Sequence, residues 1–275
     1  MHELNRNKKE QNTNERIINN TMANYLINQD YSTYTQEDHD IWKMLCDRQS
    51  KLTTDKIAKQ YLEGFYQLEI DKARVVKIEE VSKVLKAISG WTLVSVSGLL
   101  PAKDFFQMII NKCYPVTVSL RKPHEIDFSE QPDIFHDICG HLPLLTNEKF
   151  AQFLTAYSRI AIKYVNDDRA VDYLARLYWF TYEMGIISEN GENKPYGAAI
   201  VTSAEEIANI QDPGIPKHPF DIDQIICTEF TPYSIQKEYF VINSFDDLFS
   251  SLENLESKLM GQLMEKTKEL YEGKC

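Results

Sequence analysis

The chain has 275 residues, a hydrophobic fraction of 43%, a charged fraction of 26% and a formal net charge of −11. That length suffices for one large domain with a sizeable core, no stretch approaches the roughly 20 apolar residues that span a bilayer, and the acid excess without a dense Lys/Arg cluster argues against a nucleic-acid partner. Five cysteines, at positions 46, 113, 139, 227 and 275, show no C-x-x-C spacing, which predicts free thiols in a reducing cytoplasm.

Residues 1–25 are rich in Asn, Lys, Glu and Gln and predict a flexible tail with no apolar core of a secretory signal. Residues 26–275 carry no linker, repeat or low-complexity block and predict a single domain that ends in a helix. Thr35 is a candidate cap for a first helix, with Glu37 and Asp38 in its first turn and Ile41, Trp42, Leu45 and Leu52 at helical spacing. Helical patterns follow at 54–67 and 78–88. Pro101 opens a helix over Asp104–Ile110. Tyr114–Leu120, alternating and β-branched, predicts a short strand. Further helical patterns cover 147–164 and 169–185. Ser244 is the candidate cap of a last helix whose stripe of Phe245, Leu248, Phe249, Leu252, Leu255, Leu259 and Leu263 reads as core in preference to an oligomer seam. The fold class expected is mostly α with a few short β-strands, and the assembly a monomer or small homo-oligomer.

Two of the six histidines lie in one segment, Asp133-Ile-Phe-His136-Asp137-Ile-Cys-Gly140-His141-Leu-Pro143. Five residues apart leaves the rings about 140° apart around a regular helix. Gly140 weakens a helix and Pro143 restricts Leu142, so a helix ending near Gly140 would let His141 swing back toward His136. Glu183 sits in the aromatic, helical Leu177-Tyr-Trp-Phe-Thr-Tyr-Glu-Met-Gly185, where an acid is expected to be buried and to need a partner. That partner is either a cation such as Arg176 or a metal. Two imidazoles and a carboxylate match the facial triad of non-haem iron(II) oxygenases. Zinc hydrolases use the same ligand types, but the H-E-x-x-H pattern is absent.

These segments resemble those of the pterin-dependent aromatic amino acid hydroxylases. Pro132–Phe153 resembles that family's iron-binding stretch and Leu177–Gly185 its glutamate segment. Residues 34–49, 98–106, 194–206 and 227–233 are similar to further family motifs, in order and with family-like spacing. The resemblance implies a mostly helical catalytic domain. It implies His136, His141 and Glu183 as ligands to iron(II), with Asp137 beside them as a catalytic and pterin-side acid. It places Gly98, Leu100, Phe105, Ala175 and Tyr178 at the tetrahydropterin, with Phe105 stacking on the flat ring. It places Arg121, Ser129, Asp133, Trp179 and Ser203 on the substrate side, with Arg121 gripping the substrate carboxylate in two-point fashion. Thr202 falls where a hydroxyl supports the first histidine. Taken without the resemblance, Phe105 reads as plain core, Arg121 as a surface charge and Thr202 as a helix cap.

The sequence departs from the family pattern at three places: Gln131 replaces an acid, or the acid is shifted to Glu130; Ala102 replaces a hydroxyl residue and Met184 an aromatic. Trp179 matches the branches that hydroxylate phenylalanine and tyrosine, and Cys227 stands where tyrosine hydroxylases tend to carry an aspartate. The resemblance therefore implies a phenylalanine 4-monooxygenase activity, with dioxygen as co-substrate, L-phenylalanine as substrate and L-tyrosine as product. Tryptophan or tyrosine as substrate, and zinc-dependent hydrolysis, are the alternatives.

Overall fold

The structure is a computed structural model and describes residues 25–52, 56–127, 129 and 131–272. Apart from its last residue, the polar tail expected over 1–25 lies outside the described residues. Thr35 caps α1 (Gln36–Leu52): its hydroxyl accepts from Asp38 N–H at 3.2 Å, while Asp38 accepts from Thr35 N–H at 2.9 Å. Ile41, Trp42 and Leu45 are buried along one face of this helix. Helix α2 (Lys59–Gln67) begins later than its apolar pattern, because Ala58 is extended and donates its N–H to Pro195 O at 2.9 Å. Helix α3 (Ile78–Ser89) ends at Gly90, whose φ of 78° suits a left-handed helix cap.

A strand that periodicity missed, β1 (Thr92–Val96), precedes helix α4 (Ala102–Ile110) and strand β2 (Cys113–Thr117). The two strands pair in parallel, from Thr92↔Cys113 to Val96↔Thr117. β2 ends at Thr117, short of the predicted Leu120. After a loop the chain enters a π-helical turn over His136–His141 and a short helix α5 (Leu142–Leu145), with Pro143 tolerated in its first turn. Helix α6 (Glu148–Ala161) packs on α4, and helix α7 (Asp168–Tyr178) runs into a second π-helical turn, Trp179–Glu183.

A second sheet has the order β4-β3-β6-β5, with β3 Ile186–Glu189, β4 Glu192–Pro195, β5 Lys217–Pro219 and β6 Tyr239–Ile242. Asn190 and Gly191, at φ 54° and 82°, form the tight turn between β3 and β4. Helices α8 (Ala198–Val201), α9 (Ala204–Gln211) and α10 (Ile222–Cys227) fill the connections. The last helical region is broken into α11 (Phe245–Ser250), a 3₁₀ turn over Ser251–Asn254 and α12 (Leu255–Glu272). Ser244 caps α11 as expected, and Leu248, Leu252, Leu255, Leu259 and Leu263 are all buried, so this stripe is core.

Gly197 shows how tightly β4 closes on Glu183. A Cβ there would lie 2.3 Å from Gly185 N and 2.4 Å from Glu183 O, both backbone atoms. Gly197→Ala is therefore expected to cost about 1–3 kcal/mol and to displace Glu183. Thermal unfolding and iron content of the purified variant check this.

Candidate metal centre and its cavity

The two histidines converge by a route the sequence did not suggest. No helix end occurs at Gly140: the segment stays helical but widens into i→i+5 bonding from His136 to His141. In such a turn, residues five apart lie nearly one above the other, so both imidazoles reach the same point. The rings sit 4.7 Å apart at 86°. Glu183 closes the second π-helical turn and meets them. Its Oε2 lies 3.5 Å from His136 Nε2 and its Oε1 3.3 Å from His141 Nε2. Among the described residues this is the one cluster of three or more such ligands, with its ligand atoms all within 4.8 Å of one another. Arg176 does not serve Glu183; it pairs with Asp172 at 2.6 Å and donates to Ile226 O.

The hydrogen bonds fix how the imidazoles face. The Thr202 hydroxyl donates to Ala198 O at 2.7 Å, so at 3.3 Å it accepts from His136 Nδ1–H. That tautomer leaves a lone pair on Nε2, toward Glu183 and His141. Thr202→Val is expected to weaken iron(II) binding about tenfold, as read by anaerobic titration of the metal-free protein. Behind His141 the Tyr182 ring stacks at 4.4 Å and 22°. Sequence reasoning missed Tyr182, although its spacing of four from Tyr178 signals a shared helix face.

These residues fit a cation. Glu183 Oε2 and His141 Nδ1 are buried with no hydrogen-bond partner, and an unmatched buried carboxylate oxygen is costly. Burial pushes the Glu183 carboxyl up, but the imidazoles, His141 foremost, outweigh it and hold it well below the usual carboxylate range. An anionic carboxylate with two imidazole nitrogens is a donor set suited to iron(II).

The cluster opens into a cavity of about 740 Å³. Gly98, Leu100, Phe105, Ala175 and Tyr178 line it, with Tyr178 edge-on to Phe105 at 5.9 Å. Arg121, Ser129, Trp179, Thr202 and Ser203 line it too, as do Ala102, Gln131 and Met184. Asp137 faces it while accepting from Thr117 N–H at 2.7 Å and Thr117 Oγ1–H at 2.9 Å. Burial raises this carboxyl above its ordinary value, although the imidazoles and Thr117 oppose the rise.

Two expectations are corrected by placement. Asp133 is not on the cavity surface. It holds Arg121 in two-point fashion, from Nε at 2.8 Å and Nη2 at 3.0 Å, and accepts His136 N–H at 2.9 Å. Its carboxylate is occupied in setting the arginine and the first ligand turn, which leaves no contact for substrate. Cys227 is exposed, points to Gln262 of α12 and does not line the cavity, so it says nothing about substrate. Thr202 is also a cap, as its residue type alone suggested: it closes the C-terminus of α8, while Ser203 caps the start of α9, accepting from Glu206 N–H. Phe230 and Gln236, which pattern reading passed over, also line the cavity; Phe230 stacks on Trp179 at 4.8 Å and 19°.

A family model described as biopterin-dependent aromatic amino acid hydroxylase matches residues 5–268. Phenylalanine-4-hydroxylase of Chromobacterium violaceum is 39% identical over 228 residues, covering 82% of this chain and 76% of that protein. That of Caulobacter vibrioides is 35% identical over 225 residues, with coverage of 82% and 76%. The crystal structure of the C. violaceum enzyme with iron(III) and the oxidised cofactor 7,8-dihydrobiopterin superposes with a TM-score of 0.82 at 37% identity, covering 87% of this chain and 86% of that one. The chain belongs to the biopterin-dependent aromatic amino acid hydroxylase family.

Proposed function

We propose that this protein is an iron(II)- and tetrahydropterin-dependent monooxygenase that converts L-phenylalanine to L-tyrosine with dioxygen. The observation that carries this reading is the His136–His141–Glu183 cluster, with His141 buried and the other two half-buried, opening onto a cavity with an aromatic wall at Phe105 and a buried guanidinium at Arg121. Bound iron(II), with a tetrahydropterin as two-electron donor, supplies the oxygen chemistry that no side chain possesses. The chain's own residues bind, orient and exclude water. His136 and His141 hold the metal through Nε2, and Glu183 offsets part of its charge. Phe105 and Tyr178 offer the aromatic faces for a flat pterin, beside Gly98, Leu100 and Ala175. Asp137, fixed by Thr117, is the acid closest to both ligand histidines in sequence and serves proton and charge balance. Arg121, held rigid by Asp133, takes the substrate carboxylate. Ser129 and Ser203 add polar contacts, and Trp179 with Phe230 walls the ring.

The same reading takes residues 26–275 as the catalytic domain of a cytoplasmic protein, a monomer or small homo-oligomer acting without nucleic acid or membrane. The net charge of −11 supports it, and no helix among the described residues is long and apolar enough to cross a membrane. The test is tyrosine formation from phenylalanine with iron(II), dioxygen and tetrahydropterin, each omitted in turn. Product only in the complete mixture supports the reading. Turnover of an ester or amide without dioxygen or pterin would favour the zinc hydrolase.

A further inference from the structure

The indole N–H of Trp179 is the one polar group on that side chain. It donates to Gln236 Oε1 at 3.1 Å. Gln236 is buried, and the rest of its polar capacity is used. Its side-chain NH₂ donates to Thr231 O at 2.9 Å and Ser234 O at 3.1 Å. Its backbone N–H donates to Glu206 Oε1 at 3.0 Å, and its backbone carbonyl accepts from Asn209 Nδ2 at 2.8 Å. An indole only donates and a carbonyl only accepts, so the amide has one consistent orientation. Glu206, also buried, accepts on its other oxygen from the Tyr239 hydroxyl, which itself accepts from Asn209 at 2.8 Å.

The network ties three distant pieces of chain to one cavity wall: the second π-helical turn, helix α9 and the loop over 228–238. A fully satisfied buried polar network holds one geometry, and removing one member leaves the others unmatched. Without the Gln236 acceptor, the indole and the stacked Phe230 lose their common anchor.

We propose that Gln236, set by Glu206 and Asn209, is the positioning residue that fixes the Trp179 indole and so limits the cavity to a one-ring aromatic side chain, excluding an indole. The proposal rests on the cavity being the phenylalanine site. It adds to that reading a residue acting through another, on substrate choice.

The experiment compares wild type, Gln236→Leu, Trp179→Phe and the double variant. The readouts are kcat and KM for phenylalanine and for tryptophan, the tyrosine formed per tetrahydropterin oxidised, and the thermal midpoint. Q236L is expected to raise KM for phenylalanine about threefold to tenfold with a smaller change in kcat, and to shift selectivity toward tryptophan by a similar factor. In the W179F background the same substitution is expected to shift selectivity by less than about twofold, since the bond is already gone. A Q236L shift that persists undiminished in W179F, or no shift at all in Q236L, overturns the proposal. Exchange of the Trp179 indole proton in wild type, assigned by its loss in W179F, needs no stable Q236L protein. Exchange slower than in a free indole is expected, and exchange at the free rate overturns the proposal. No tyrosine from wild type would bring down the functional reading and the selectivity claim with it, while the exchange rate would still report whether the bond exists.

Discussion

Glu183→Gln is expected to leave a folded protein that retains almost no iron and has lost about a thousandfold or more of its turnover. The reasoning starts from charge. Two neutral imidazoles bring no negative charge to a divalent cation, so the carboxylate is the one anionic ligand of the cluster. Changing a group that merely supports a ligand costs about 10- to 100-fold in affinity or activity, and removing a ligand's charge costs more. Stability is expected to hold or rise, because an amide is cheaper to bury than a carboxylate. Iron content, turnover and thermal midpoint measured on one preparation separate these effects. An E183Q protein with one equivalent of iron and turnover within about tenfold of wild type would contradict the triad.

The second large effect belongs to Arg121. In Arg121→Met, Asp133 keeps its buried charge and loses its two-point partner, which is expected to cost about 3–5 kcal/mol of stability. The same variant is expected to raise KM for phenylalanine roughly tenfold to hundredfold, the worth of a charge-assisted hydrogen-bonded pair. Adding Asp133→Asn removes the stranded charge. The double variant R121M/D133N is then expected to regain most of the melting temperature and none of the KM. Recovery of both would show that Arg121 acts only as the counterion of Asp133.

The ligand residues were legible in the sequence, but the geometry that joins them was not. His136 and His141 are too far apart in angle for an α-helix, and Gly140 with Pro143 suggested a helix end. The chain instead widens the turn by one residue and continues, a solution set by packing that periodicity does not register. Glu183 was legible as an acid largely withdrawn from water because an aromatic run surrounds it; that its partner is the histidine cluster rather than Arg176 took the three-dimensional arrangement. Arg121 and Asp133 are 12 residues apart, and nothing local says that they pair so closely that Asp133 leaves the cavity. Strand β1 was missed because Thr92–Val96 is short and half-buried at every residue but Val96, so no alternation of buried and exposed side chains marks it. The last apolar stripe was read correctly as core, yet the 3₁₀ turn at Ser251–Asn254 breaks it without any Gly or Pro to announce it. Gln236 was invisible for a different reason: its importance comes from five partners, three of them contributed by segments distant in sequence.

The most direct measurement is the origin of the oxygen in the product. The complete reaction is run with dioxygen labelled with oxygen-18, and the tyrosine is analysed by mass spectrometry. Label in the tyrosine hydroxyl, at one atom per molecule and dependent on both iron(II) and tetrahydropterin, is the predicted result. Label entering from water instead, or no tyrosine from folded protein carrying iron, would contradict the assignment.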